Sequence, residues 1–138
     1  MIETTLKDKV PPHDIEAERA VLGALLLNWG AMADVIGKLR PERFYSLQNQ
    51  VIFEALTELF AHNIQGDTLT LIDQLRKNEK LEQAGGTAYI ASLTDTVPSS
   101  ANIEYYADIV LDRATRRDLI KISSEIKAAS FELGKEST

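Results

Sequence analysis

The sequence contains no cysteine. Disulfides, zinc–thiolate sites and thiol nucleophiles are therefore excluded. Histidine is scarce as well: His13 and His62 are the only two, which argues against a structural metal centre. Long apolar runs are missing. The longest, such as Ala24 to Leu27, fall far short of the ~20 residues that span a membrane. The opening MIETTLKDKVPP lacks the apolar stretch of a secretory signal. Positive charge is in deficit, with 15 Lys+Arg against 21 Asp+Glu and a net charge of -6. A general nucleic-acid binder gains affinity by neutralising phosphates, so this balance argues against one. The 138 residues fit one domain, and a soluble, intracellular protein is expected.

What is present is helical periodicity. Residues 1–12 are polar, end in Pro11-Pro12 and read as a disordered tail, and 134–138 (GKEST) read as a second frayed end. A first helix is expected over His13–Leu27, with Ile15, Leu22 and Leu26 on one stripe and Val21 and Leu25 widening it. Asp14, Glu16 and Glu18 fall in its first turn, where the helix dipole favours solvated negative charge. A short helix follows, about 31–39, stopped at Arg40-Pro41. The third, about Ser46–His62, carries Ile52, Ala55, Leu56 and Leu59 at i, i+3, i+4, i+7, flanked by Phe53 and Phe60. Thr70-x-x-Asp73 resembles a capping box and predicts a helix to about Glu79. Thr68-Leu69-Thr70-Leu71 also alternates as a strand would, with no partner strand in view. Gly85-Gly86 precedes a short helix, about Thr87–Thr94, and Pro98 ends that region. Residues 13–100 thus form a globular head.

The last segment, 101–133, has no proline or glycine. Ser99 or Ser100 is positioned to cap it. Ile103, Ala107, Val110, Leu111 and Ala114 give its first half an apolar face. Leu119, Ile122, Ile126, Ala129 and Leu133 then recur at alternating spacings of three and four, the seam of a coiled coil. A helix of this length measures roughly 50 Å, more than a domain of this size requires. Its distal half is expected to project and to need a partner helix for oligomerisation. The fold class is all-α, with about six helices packed orthogonally and the last a long arm.

Catalytic signatures are absent from the sequence. Gly37-Lys38 and Gly134-Lys135 lack the preceding Gly and following Ser/Thr of a phosphate-binding loop. No G-x-S-x-G or G-x-G-x-x-G occurs. No catalytic residue, metal ligand or cofactor site is assigned, and His62 reads as a helix C-terminal residue. Arg113, Arg116, Arg117, Lys121 and Lys127 form a local basic group. Asp112–Arg116 and Lys121–Glu125 pairs would make it a solvated face; the other reading is contact with an acidic partner or nucleic acid. Phe44, Tyr45, Tyr105 and Tyr106 read as packing residues. Tyr89, after the double glycine, is the candidate interface anchor.

The run Pro12-His13-Asp14-Ile15-Glu16-Ala17-Glu18 with Val21-Leu22-Gly23 resembles the opening of the bacterial replicative DNA helicases of the DnaB family. Phe44-Tyr45, Ile52-Phe53, Gly85-Gly86-x-x-Tyr89-Ile90, Val97-Pro98-Ser99-Ser100-Ala101-Asn102 and Tyr106-Ala107-x-Ile109-Val110 follow in the family's order. The resemblance implies an N-terminal helical collar domain, in which the long helix is one arm of a hairpin that pairs with a neighbouring subunit. The second arm and the C-terminal RecA-like domain lie outside this sequence. In the parent protein that domain would bind ATP and Mg2+ and unwind DNA 5′→3′. The implied partners are further copies of the chain, as dimers and trimers of dimers, the primase C-terminal domain, and in some systems a loader. The implied location is the cytoplasm, at the replication fork. By the same resemblance, primase contacts fall at Glu16 and Tyr89, with Arg116 and Ile120 on the long helix. Binding there would favour one subunit arrangement, and linkage requires that arrangement to alter affinity in return.

Two other classes compete. A stand-alone helix-turn-helix DNA-binding regulator needs a short basic recognition helix, but the basic group lies on the long arm. A small helical enzyme needs a nucleophile, metal or phosphate signature. Weak contact between single-stranded DNA and Arg113, Arg116 and Arg117 is an intermediate reading.

Overall fold

The computed structural model describes the backbone of residues 9–95, 97 and 102–136, and the side chains among them as far as 132. The described residues form six α-helices and no strand: α1 (Ile15–Leu27), α2 (Met32–Val35), α3 (Leu47–Ala61), α4 (Thr68–Lys77), α5 (Gly86–Asp95) and α6 (Ile103–Glu136). Single 3-10 turns at Trp29–Ala31 and Pro41–Arg43 join the first three. The all-α expectation holds, and the Thr68–Leu71 strand alternative does not.

Each helix start has a chemical cause. Asp14 caps α1, its carboxylate accepting from the Ala17 N–H at 3.0 Å. Pro41 opens its 3-10 turn, where a missing N–H costs nothing. Ser46 caps α3. For α4 the expected box is displaced. The cap is Asp67, which accepts from Thr70 N, while Thr70 Oγ1 accepts from Asp67 N at 2.9 Å. Thr70 is thus the last residue of the box rather than its first, and the helix begins before it. The expected caps at Ser99 and Ser100 and the stop at Pro98 lie outside the described residues.

The helices close on one core. Val21, Leu22, Leu25, Ile52, Phe53, Leu56, Leu71, Leu75, Ile90 and Leu93 are buried within it. α1 is central, packing along both α6 and α5, while α3 packs on α4. Gly23 is what lets α1 approach α5: a Cβ there would lie 2.0 Å from the Leu93 carbonyl oxygen. From α6, Ile103, Ala107, Val110 and Ala114 seat on this core. Leu119, Ile122 and Ile126 do not; they are 59%, 49% and 62% exposed. At 1.5 Å per residue the 34-residue α6 is about 51 Å long, and its distal half stands away from the head.

Candidate docking surfaces

One candidate surface is built on α1 and α5. Tyr89 sits half-buried in the first turns of α5. Gly85, at φ +97, packs beneath it, and a Cβ there would meet the ring at 2.9–3.0 Å. The double glycine therefore supplies both a left-handed turn and the space for this ring. The Arg19 guanidinium lies over the ring, 5.4 Å from its centroid, within cation–π range. Arg19 also donates to Ser92 Oγ at 3.3 Å, and Ser92 donates to the Tyr89 carbonyl at 2.6 Å. The Tyr89 hydroxyl donates to Asn49 Oδ1 at 2.6 Å. Burial foremost pushes the Tyr89 phenol above its ordinary value; Arg19 opposes the shift, and the charges of Glu18 and Glu16 add to it. Glu16 is exposed on α1 and close enough for its charge to act on Tyr89. The fold thus brings Glu16 and Tyr89 to one side of the head.

Glu18 departs from the expectation of a solvated first turn. It is 1% exposed. Its carboxylate accepts from Tyr45 N at 2.6 Å, Ser46 N at 3.3 Å and Asn49 Nδ2 at 2.9 Å. Those groups gather at the start of α3, where aligned N–H groups favour an anion. Glu16 keeps the expected exposed position in the first turn, whereas Asp14 stands just before the helix as its cap. Sequence reasoning missed Glu18, Asn49 and Arg19 because their partners are distant in the chain.

Arg116 and Ile120 lie apart from this patch, both exposed on α6. Arg116 Nε donates to Asp112 at 2.9 Å, and Arg113 pairs with the same carboxylate. These pairs, Arg116 first, hold Asp112 below the usual carboxylate range. Arg117 is not part of a free basic face. It donates to the Pro12 and Arg43 carbonyls at 2.7 and 2.8 Å and lies over the Tyr45 ring, which stacks on His13 at 4.2 Å. This arrangement ties residues 12–13 to the base of the arm, so the stretch read as a tail is anchored at Pro12. The reading of Arg113, Arg116 and Arg117 as a single-stranded DNA contact loses Arg117 to these internal bonds.

The second surface is the distal half of α6. Leu119, Ile122, Ile126 and Ala129 are all exposed along one side of the helix, and Phe131 is exposed on the opposite side. Leu133 continues the helix, with its side chain outside the described residues. No group of three or more His, Cys, Asp or Glu able to hold a metal occurs among the described residues, and no described helix is long and apolar enough to cross a membrane. His62 ends α3, its Nδ1 within 2.8 Å of the Glu58 carbonyl.

Comparison with known proteins gives a consistent result. The family model described as DnaB-like helicase N-terminal domain matches residues 10–112. The replicative DNA helicase DnaB of Treponema pallidum is 51% identical over 126 residues, which is 91% of this chain and 29% of that protein. The chain therefore spans less than a third of that relative's length. The N-terminal domain of DnaB helicase from Mycobacterium tuberculosis superposes with a TM-score of 0.87 at 34% identity, covering 91% of this chain and 90% of that one. A DnaB-like replicative helicase described with its interactions with primase superposes at 0.73 with 25% identity, covering 88% of this chain and 31% of that one.

Proposed function

This chain belongs to the DnaB-like helicase N-terminal domain family, and from that premise we propose that it is the collar of a replicative DNA helicase. In this reading it has no catalytic role of its own. The longer protein binds ATP and Mg2+ in a separate domain and unwinds DNA 5′→3′. The collar arranges subunits and docks the C-terminal domain of primase, with a loader as a further partner, in the bacterial cytoplasm. The 51% identity to a replicative helicase across 91% of the chain carries the proposal. The regulator alternative has no support in these similarities.

The two surfaces divide the work. The apolar row of the arm pairs with a helix of a neighbouring subunit, because exposed apolar area at coiled-coil spacing gains free energy only when covered. The Glu16–Tyr89 side of the head receives primase, with Arg116 and Ile120 as a second contact on the arm. Docking that prefers one subunit arrangement shifts the assembly toward it, and that arrangement in turn binds primase more tightly.

Calorimetric titration of this chain with the matching primase C-terminal domain tests the docking role. Saturable binding is expected, weakened tenfold or more, roughly, in Tyr89→Ala. Unchanged affinity in Tyr89→Ala would move the site away from α5. Absence of binding by wild-type chain that is itself paired would contradict docking by this domain.

A further inference from the structure

We infer that Glu18 and Asn49 are positioning residues for the docking surface, fixing the Tyr89 ring through a hydrogen-bond chain of defined direction. The inference rests on the docking reading above. Its premise is chemical. A carboxylate accepts and does not donate. Glu18 therefore compels Asn49 to turn its NH2 group inward, which the 2.9 Å contact with Nδ2 shows. The amide has one oxygen left, and it faces the other way. That oxygen can only accept, so Tyr89 must donate its hydroxyl proton to it, at 2.6 Å. Each member has one orientation, set by the member before it.

The chain is also sealed. Asn49 is fully buried and Glu18 nearly so, so water does not compete for these bonds. Low local polarity strengthens such bonds and raises the cost of leaving one unmade. Tyr89, by contrast, is only half-buried. Its hydroxyl end is anchored inside, its ring is held between Gly85 and Arg19, and the rest of the ring is available at the surface. A rigid aromatic with one fixed rotamer loses little entropy on binding. The same Glu18 carboxylate also binds the start of α3. One buried charge thus sets both the α1–α3 junction and the pose of the α5 anchor.

The test is a set of variants read in two ways. Tyr89→Phe keeps the ring and removes the anchored hydroxyl. Glu18→Gln keeps the shape but sets an NH2 group against a donor. Asn49→Leu keeps the bulk and removes both bonds. Affinity for the primase C-terminal domain is measured by calorimetry, and the Tyr89 ring resonances are followed by NMR. Tyr89→Phe and Glu18→Gln are each expected to weaken binding roughly three- to tenfold, the worth of one buried hydrogen bond. The double variant should lose no more than the worse single one, because both break the same chain. Glu18→Gln and Asn49→Leu should also shift the Tyr89 ring resonances. Full affinity in Tyr89→Phe, or losses that multiply in the double variant, would overturn the inference. Should Asn49→Leu fail to fold, Tyr89→Phe still decides. Should paired wild type bind no primase domain, the docking reading fails separately, and the ring resonances decide the positioning. Unshifted resonances in Glu18→Gln would then refute it.

Discussion

The two halves of α6 carry the same kind of apolar pattern and meet different fates. Ile103, Ala107, Val110 and Ala114 are buried against the head. Leu119, Ile122 and Ile126, further along the same unbroken helix, are 49–62% exposed. Periodicity identifies which side of a helix seeks cover; it does not say what provides it. In the proximal half the cover is α1, within the same chain. In the distal half nothing among the described residues provides it. The head is therefore expected to be stable by itself, and the arm to be stabilised by association.

Truncations should separate the halves most strongly. Leu22 is fully buried, and Leu22→Ala should destabilise the chain by about 2–5 kcal/mol. Ile126→Ala removes similar bulk from an exposed position and should cost about 0.5 kcal/mol or less in dilute solution. Denaturant melts of the two variants check this. A comparable loss in Ile126→Ala would mean that the arm already packs on something in the isolated chain.

The next contrast is between carboxylates two residues apart. Glu18→Ala leaves the α3 start and the Asn49 amide without their acceptor and should cost about 3 kcal/mol. Glu16→Ala, on the exposed side of the same turn, should change stability by no more than about 0.5 kcal/mol. Equal effects in thermal melts would remove the distinction between a structural and a surface carboxylate.

The smallest effect belongs to the helix surface between the two halves. The folded value for Asp112 is depressed, by Arg116 first and Arg113 next. A depressed carboxylate contributes stability at pH above its unfolded value of 3.8, and loses it as pH falls through the lower folded value. Asp112→Asn should therefore melt slightly below wild type near neutrality, and the gap should close in acid. A gap that persists in acid would assign the effect to something other than charge.

The core was legible because its signal is local. Ile52, Ala55, Leu56 and Leu59 announce their stripe within two helical turns, and all four are buried. The Asp67–Thr70 box is half-legible: Thr70 takes part in it, but its partner is Asp67 behind it and not Asp73 ahead. Glu18 was not legible as a buried group. Its donors stand 27 to 31 residues away, and three acids in a first turn read as solvated. Arg117 was hidden likewise, since its carbonyl partners are 105 and 74 residues distant. Tyr89 could be singled out by the double glycine before it, whereas its partner Asn49 carried no signal.

Light scattering across a concentration series, on wild type and on Ile122→Asp/Ile126→Asp, tests the division between head and arm most directly. Wild type is expected to rise above the 15.3 kDa chain mass as concentration increases. The variant should stay at the chain mass and melt at the same temperature as dilute wild type. Equal association by both proteins, or a variant whose head unfolds, would contradict it.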